Sequence, residues 1–516
     1  MKKTFLLSCL MLAAMPVMAA YTGHVYVDKN KNGVFDQSEK PLAGIKVSDG
    51  LNVVETAADG SFTLPGHERE RFIFITTPSG YKTFNRHYHK IEKKQSGYDF
   101  GLIPYSGRIR KNGSHRYIHI ADTEMFNTEN HADWVNNVRD YARNEQAAFI
   151  IHTGDICYEK GLKAHIKLMN TENMDCPVFY CIGNHDLVKG KYGEELFESI
   201  YGPVYYSFDA GNVHYVVTPM PGGDHAPGYT SDDVCRWLKN DLAHIRPGTP
   251  VVVFNHDLLT YEDTFIFKSK NAGSINLNEY NLKAWVYGHW HINYMKKQGD
   301  VYSVCTSSLD KGGIDHSTTA FRVMHVDSKG DFTSELRYTY LDKNICIASP
   351  AGVMASGVLP VAVNVYSSVS PVREVLYTCL ADGKPVLKNK RLLQSTDWSW
   401  NGELPLSHKY VGKELTLRVT ARFNNGEIAE AESNFICRTE KAVPLFSADW
   451  DNLSGNAKHS APVSAPLNLP LQLAWTNNVG ANLYMTSPLI HKGKVIVASV
   501  DEDLKGVGHV LSLIHI

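Results

Sequence analysis

Cys181-Ile182-Gly183-Asn184-His185-Asp186 follows directly on the apolar run Pro177-Val178-Phe179-Tyr180. A short buried strand that breaks into Gly-Asn-His-Asp sets an amide, an imidazole and a carboxylate on one strand-to-helix turn. Matching strand ends stand on both sides of it. His119-Ile120-Ala121-Asp122 and Ile150-Ile151-His152-Thr153-Gly154-Asp155 precede it, and Val251-Val252-Val253-Phe254-Asn255-His256 and Trp285-Val286-Tyr287-Gly288-His289-Trp290-His291 follow. Each is an apolar run ending in metal-ligand residue types. The segments between them are long enough for crossover helices, which predicts ligands gathered at the carboxyl edge of a sheet. A single His or Asp of this kind is ordinarily a hydrogen-bonded core residue or a turn. Burying the whole set without a cation would be costly.

Outward from that centre, residues 112–338 alternate strand, helix, strand. Helical spacing is expected over Asp133–Ala142, Lys163–Met174, Tyr192–Ile200 and Ser231–Ala243, and a hairpin closed at Ala210-Gly211. Residues 21–108 and 346–440 instead alternate apolar and polar between turn residues, which predicts a small β-sandwich on one side and an immunoglobulin-like β-domain on the other. Asp28, Asn30, Asn32, Val34, Asp36 and Glu39 occupy positions 1, 3, 5, 7, 9 and 12 of a calcium-type loop, with Gly33 at the turn. No helical pattern flanks the loop. It is read either as a structural calcium site or as an Asn/Gly-rich hairpin turn. Residues 441–516 resemble the start of a quinoprotein-type β-propeller. One such repeat cannot bury its own faces, so the chain is expected to be truncated there.

Residues 1–20 read as an export signal: Lys2 and Lys3, an apolar stretch from Phe5 to Met15, then small residues before the cleavage point. The mature protein is expected in the periplasm, at the cell surface or secreted, with no transmembrane segment after cleavage. Among 516 residues, 52 Lys and Arg nearly balance 54 Asp and Glu, so no nucleic-acid partner is expected. Eight cysteines follow the signal; buried free thiols are the expectation, with a Cys379–Cys437 bridge as the alternative.

The five strand ends together resemble the calcineurin-like metallophosphoesterase family, whose pattern is Asp-x-His, Gly-Asp, Gly-Asn-His-(Asp/Glu), a lone His and Gly-His-x-His. The resemblance covers about residues 116 to 336 and matches four of the five motifs. It implies an α/β (α+β) sandwich of mixed sheets flanked by helices, here set between two all-β sandwich domains. It implies two divalent or mixed-valence transition metals (Fe, Mn or Zn) bridged by Asp155. Asn184, His256 and His289 would complete one metal site, and Asp122 and His291 would belong to the other. His185 would assist the leaving group, with Asp186 orienting its ring, and a metal-bridging hydroxide would attack a small phosphorylated substrate, a monoester or a diester. The departure is Asp122-Thr123-Glu124, where the family has Asp-x-His. Glu124 is one replacement. Tyr158 is the other, since Gly-Asp-x-x-Tyr resembles the purple acid phosphatases, in which a tyrosinate binds ferric iron. The same departure leaves open a surface binding or adhesion protein whose metal fold has lost activity.

Overall fold

The computed structural model describes residues 20–95, 97–439, 449–460, 487–498 and 511–515. The segment read as an export signal therefore lies outside the described residues, as does most of 441–516. Of that last stretch, the strands Leu489–His491, Lys494–Ala498 and Leu511–His515 pair antiparallel in sequence order. Among the described residues no helix is long and apolar enough to cross a membrane.

Two sheets carry the strands quoted above. The first has five strands in the order Val178–Tyr180, Phe149–His152, His115–Ile120, Ala320–Val326 and Phe332–Tyr338. Its first three are parallel, and the last two run antiparallel. The second has six: Tyr206–Ala210, Val213–Val217, Val251–Phe254, Leu282–Tyr287, Val301–Cys305 and Tyr294–Gln298. Its middle strands are parallel and its two edges are antiparallel hairpins. Val251–Phe254 and Phe149–His152 are buried at every position, which is why they read as unbroken apolar runs rather than alternating ones.

Aromatic rings join the sheets. Phe179 stacks on Phe208 at 3.7 Å between centroids, and Tyr117 meets Phe254 edge-on at 5.8 Å. Alternation sends Ile118 and Ile120 to the other face, where they pack with Trp134 and Val138 of the helix Ala132–Asn144. The expected helix over 163–174 instead spans Tyr158–Leu168. Asn170 stops it: its Nδ2 donates to the Ile166 carbonyl at 2.8 Å while its Oδ1 accepts from the N–H groups of Glu172 and Asn173. The helix Ser231–Ala243 is capped by Thr230 rather than Ser231, in a reciprocal capping box with Asp233.

Residues 21–104 form a five-stranded and a four-stranded sheet, and 344–438 a four-stranded and a five-stranded one. The N-terminal sheets meet the central residues through polar contacts. Arg71 binds Glu194 and Glu198, each at 2.7 Å, Thr76 meets Ser207 at 2.9 Å, and the Thr77 carbonyl accepts from Asp209 N–H at 2.8 Å. The C-terminal sheets contact the helix 132–144 and the segment after it, where Asn144 Nδ2 donates to the Val369 carbonyl at 2.8 Å. All eight cysteines among the described residues are free thiols, and all but Cys346 are buried.

Candidate metal centre

Asp122, Asp155 and Asn184 follow the carboxyl ends of three parallel strands of one sheet, and His256, His289 and His291 follow two of the other. The loops interlock through their backbones. Asp122 N–H donates to Gly154 O at 3.0 Å, Glu124 N–H to Asp155 O at 3.1 Å, and Gly288 N–H to His256 O at 3.0 Å. Holding the ligands this way forces left-handed backbone on non-glycine residues: φ is +51° at Asp122, +42° at Glu124, +55° at Asp155, +65° at His289 and +51° at His291. Each such residue costs about 1–2 kcal/mol, and such strain concentrates at functional sites. The glycines beside them permit contact that no other residue would. A Cβ on Gly183 would lie 2.2 Å from Asp155 Oδ1, and one on Gly288 would lie 2.7 Å from Asp122 Oδ2.

Two groups of ligand atoms result. Asp155, His256 and His289 each bring one donor atom within 4.8 Å of the others. His256 is fully buried, and its Nδ1–H donates to the Thr153 carbonyl at 2.7 Å. That bond fixes the tautomer and leaves the Nε2 lone pair facing Asp155 Oδ2 at 3.1 Å and Asp122 Oδ1 at 4.0 Å. Nε2 makes no hydrogen bond of acceptable direction, and Asn184 Oδ1 is likewise buried without a partner. In the second group His291 Nε2 lies 3.5 Å from Asp122 Oδ1 and 3.6 Å from Glu124 Oε1, while Glu124 Oε2 takes Lys311 at 2.6 Å. Buried carboxylates, neutral imidazoles and an amide oxygen with unpaired lone pairs are a donor set that suits transition metals.

Charge makes the same point. Burial pushes the Asp122 carboxyl well above the usual carboxylate range, with His256 only partly offsetting it. At Asp155 burial is outweighed by the His256 imidazole, which holds the carboxyl below its usual value. His256 itself is driven up to about 9: burial opposes protonation, and Asp155 overcomes it.

His185 stands at the mouth, its backbone N–H donating to Asp155 Oδ1 at 3.0 Å. Its ring partner corrects the sequence reading. Asp186 does not orient that ring; its oxygens accept from Gly183 N–H and Cys157 N–H, both at 2.9 Å, and so pin two loops together. The carboxylate on His185 Nδ1 is Asp224, at 2.8 Å. Asp224 is held there by its own N–H on the Asn184 carbonyl at 3.1 Å, and a Cβ on Gly223 would lie 2.3 Å from that carbonyl. Gly222-Gly223-Asp224 was the available signal. Tyr158 stands 44% exposed at the rim, its ring 5.4 Å from that of His185 and 6.4 Å from that of Phe126. His119 and His152 are core residues, bonded to Thr153 Oγ1 at 2.8 Å and Thr123 Oγ1 at 3.0 Å.

In the loop 28–39 the buried Asp28 accepts from Asn32 N–H at 3.1 Å and Gly33 N–H at 2.9 Å, Glu39 Oε1 accepts from Lys29 N–H at 2.8 Å, and Asn30 Nδ2 meets Asp36 Oδ2 at 2.7 Å. Val34 is mostly exposed. These bonds close the turn among its own residues.

Buried donors of these types gathered at one edge fit a metal-binding site. Residues 115–293 match the family described as calcineurin-like phosphoesterase, and residues 29–104 match the N-terminal region of calcineurin-like phosphoesterase. The chain therefore carries a calcineurin-like phosphoesterase domain preceded by that family's N-terminal module; proteins of this family are generally metal-dependent hydrolases. It is 26% identical over 215 residues to purple acid phosphatase 13 of Arabidopsis thaliana, a match spanning 39% of this chain and 36% of that relative. Among solved structures it is similar to a predicted phosphoesterase from Streptococcus pneumoniae (10% identity, 44% of this chain and 98% of that one, TM-score 0.21). It is also similar to zinc-complexed Vps29 from Entamoeba histolytica (12% identity, 44% and 94%, TM-score 0.23).

Proposed function

We propose that the chain is an exported hydrolase of small phosphate esters, built as a layered α/β domain over about residues 112–338 between β-modules at 21–108 and 346–440. One observation carries the reading: Asn184 Oδ1 and His256 Nε2 are both buried, both unpaired, and Nε2 faces two carboxylates. Asp155, Asn184, His256 and His289 would hold one cation, and Asp122, His291 and Glu124 the other. A bound metal pair supplies acidified water at neutral pH and offsets charge on the phosphoryl oxygens. The chain's own part is positional. His185, steered through Nδ1 by Asp224, presents Nε2 toward the leaving oxygen. The Gly183 and Cys157 amides keep Asp186 away from that ring.

Glu124 rather than Tyr158 fills the place of the family's missing His, because its Oε1 already lies against His291. An oxygen donor there favours manganese or iron. Iron-loaded protein should then be colourless; a visible tyrosinate-to-iron band abolished by Tyr158→Phe would restore Tyr158 as the ligand. The reading as a whole is tested by turnover of aryl phosphate mono- and diesters across Mn, Fe and Zn, with Asn184→Ala and His185→Ala as controls. Activity unaffected by both substitutions defeats it. Full metal occupancy with no turnover supports the second reading, a binding protein on this fold, which the Glu124 departure favours.

A further inference from the structure

Soluble domains scatter single apolar side chains over their surface, so a concentration of them at one place carries information. Among residues 112–338, four large apolar side chains stand mostly in water: Phe126 at 58%, Tyr158 at 44%, Tyr261 at 74% and Ile314 at 74%. Three follow a ligand residue in the chain, and Ile314 bonds to one. Phe126 and Tyr158 follow Asp122 and Asp155; their rings lie 28° apart, and that of Tyr158 lies 5.4 Å from that of His185. Tyr261 follows His256 and stacks at 5.9 Å and 23° on Trp290, the residue between His289 and His291. Trp290 is fixed by its Nε1–H on Asp257 Oδ1 at 3.1 Å, and Ile314 by its N–H on the His291 carbonyl at 2.9 Å. One shelf therefore rises from the loops of the five-stranded sheet and the other from those of the six-stranded sheet, the same two sets of loops that carry the ligand residues.

Resting on the phosphoesterase reading above, we infer that these shelves select the substrate: a phosphate ester carrying a planar aromatic substituent, with the Phe126–Tyr158 shelf beside His185 taking the leaving group. Flat rings that already stack on each other at a wet rim offer a face to a third ring. Ring-on-ring contact of this kind tolerates many ring types while rejecting flexible alkyl chains of similar polarity. Lys311 is taken up by Glu124 at 2.6 Å, and ring stacking rather than charge would supply the selectivity.

The test compares initial kcat/KM for a phenyl and a fluorinated alkyl ester matched in leaving-group acidity, and separately for nucleoside and methyl diesters sharing one nitrophenyl leaving group. The wild-type chain should prefer the ring-bearing member by about tenfold or more, the range of a single stacking contact. Phe126→Ala should collapse the first ratio, and Tyr261→Ala the second, at unchanged metal content. A preference in the first pair alone identifies an aryl leaving group as the source, and in the second alone a nucleobase. Turnover with both ratios near one in the wild type, or an equal loss on both members in the variants, overturns the inference and leaves the hydrolase standing. Absence of turnover on every ester overturns both.

Discussion

Two buried clusters of Asp and His lie in the central residues, and they differ in one respect. At the candidate metal centre Asp122, Asp155 and His256 are buried, His256 Nε2 and the neighbouring Asn184 Oδ1 have no hydrogen-bond partner, and Asp122 and Asp155 are held at left-handed φ. Across the sheet, His214 is equally buried, but both its ring nitrogens are matched: Nδ1 meets Asp209 Oδ1 at 2.7 Å and Nε2 meets Asp241 Oδ2 at 2.8 Å. Ser207 satisfies the other Asp241 oxygen at 2.8 Å, and no residue of 207–217 except Gly211 has positive φ. Residue types are the same in both places. What separates a functional site from a structural one here is the polar atom with nowhere to go.

Breaking the first cluster should therefore remove chemistry and spare stability. Asp155→Asn should strip metal and reduce turnover by more than the ~10–100-fold typical of groups that merely support a ligand, while the thermal midpoint of metal-free protein holds or rises as a buried charge is lost. Metal analysis alongside calorimetry checks this. A bound metal complement near that of the wild type would show that Asp155 is not a ligand.

Breaking the second should do the reverse. His214→Ala leaves Asp241 buried and unpaired, which costs about 3–5 kcal/mol, yet specific activity of the folded fraction should match the parent. Denaturant melts read the first quantity, and turnover below the transition reads the second. A selective loss of turnover without destabilisation would erase the distinction between the clusters.

Between these extremes sits Asp224, whose carboxylate holds His185 while its N–H bonds only the backbone carbonyl of Asn184. Asp224→Asn should lower kcat by about 10–100-fold with metal content and KM little changed. The loss should grow with the basicity of the leaving alcohol, since a misaimed His185 matters most when the leaving group needs a proton. A loss equal across leaving groups would assign Asp224 to loop packing alone.

Much of the centre was legible because ligand-bearing turns follow recognisable apolar strands: Asp122, Asp155, Asn184, His256, His289 and His291 are all brought to one edge. Spacing could not show which carboxylate serves His185. Asp186 is adjacent in sequence, but a 3₁₀ turn over Asn184–Asp186 points it back into the loop, whereas Asp224 arrives from a segment with no periodic pattern. Spacing could not separate Glu124 from Tyr158 either, since each stands a few residues past a candidate ligand; in the fold Glu124 Oε1 lies 3.6 Å from His291 Nε2 and Tyr158 is 44% exposed. Fold-level alternation was readable for the same reason the strands were; the helix Ser231–Ala243 falls where its spacing put it, whereas the one expected over 163–174 was misplaced because the Asn170 side chain decides its end.

The smallest effect concerns pH, and it belongs to the fully partnered cluster. With Asp209 and Asp241 both ionised, both nitrogens of His214 must carry protons, which makes the folded ring an imidazolium. Burial opposes that charge, but Asp241 and Asp209 outweigh it and raise the pKa above the ordinary value of about 6.5. A raised folded pKa stabilises the fold fully below about pH 6.5 and loses that contribution as pH climbs through the folded value. Asp241 is held below its ordinary value, burial being outweighed by His214, so its share is present above about pH 4 and fades only as pH falls further. The global stability of metal-saturated protein should thus decline on the alkaline side of neutrality, by no more than the 3–5 kcal/mol expected for the whole pairing. His214→Gln should flatten that limb while leaving the acid limb of other carboxylates in place. An alkaline slope unchanged in the variant would mean that the ring is neutral in the folded state and that one of its two carboxylates carries the proton.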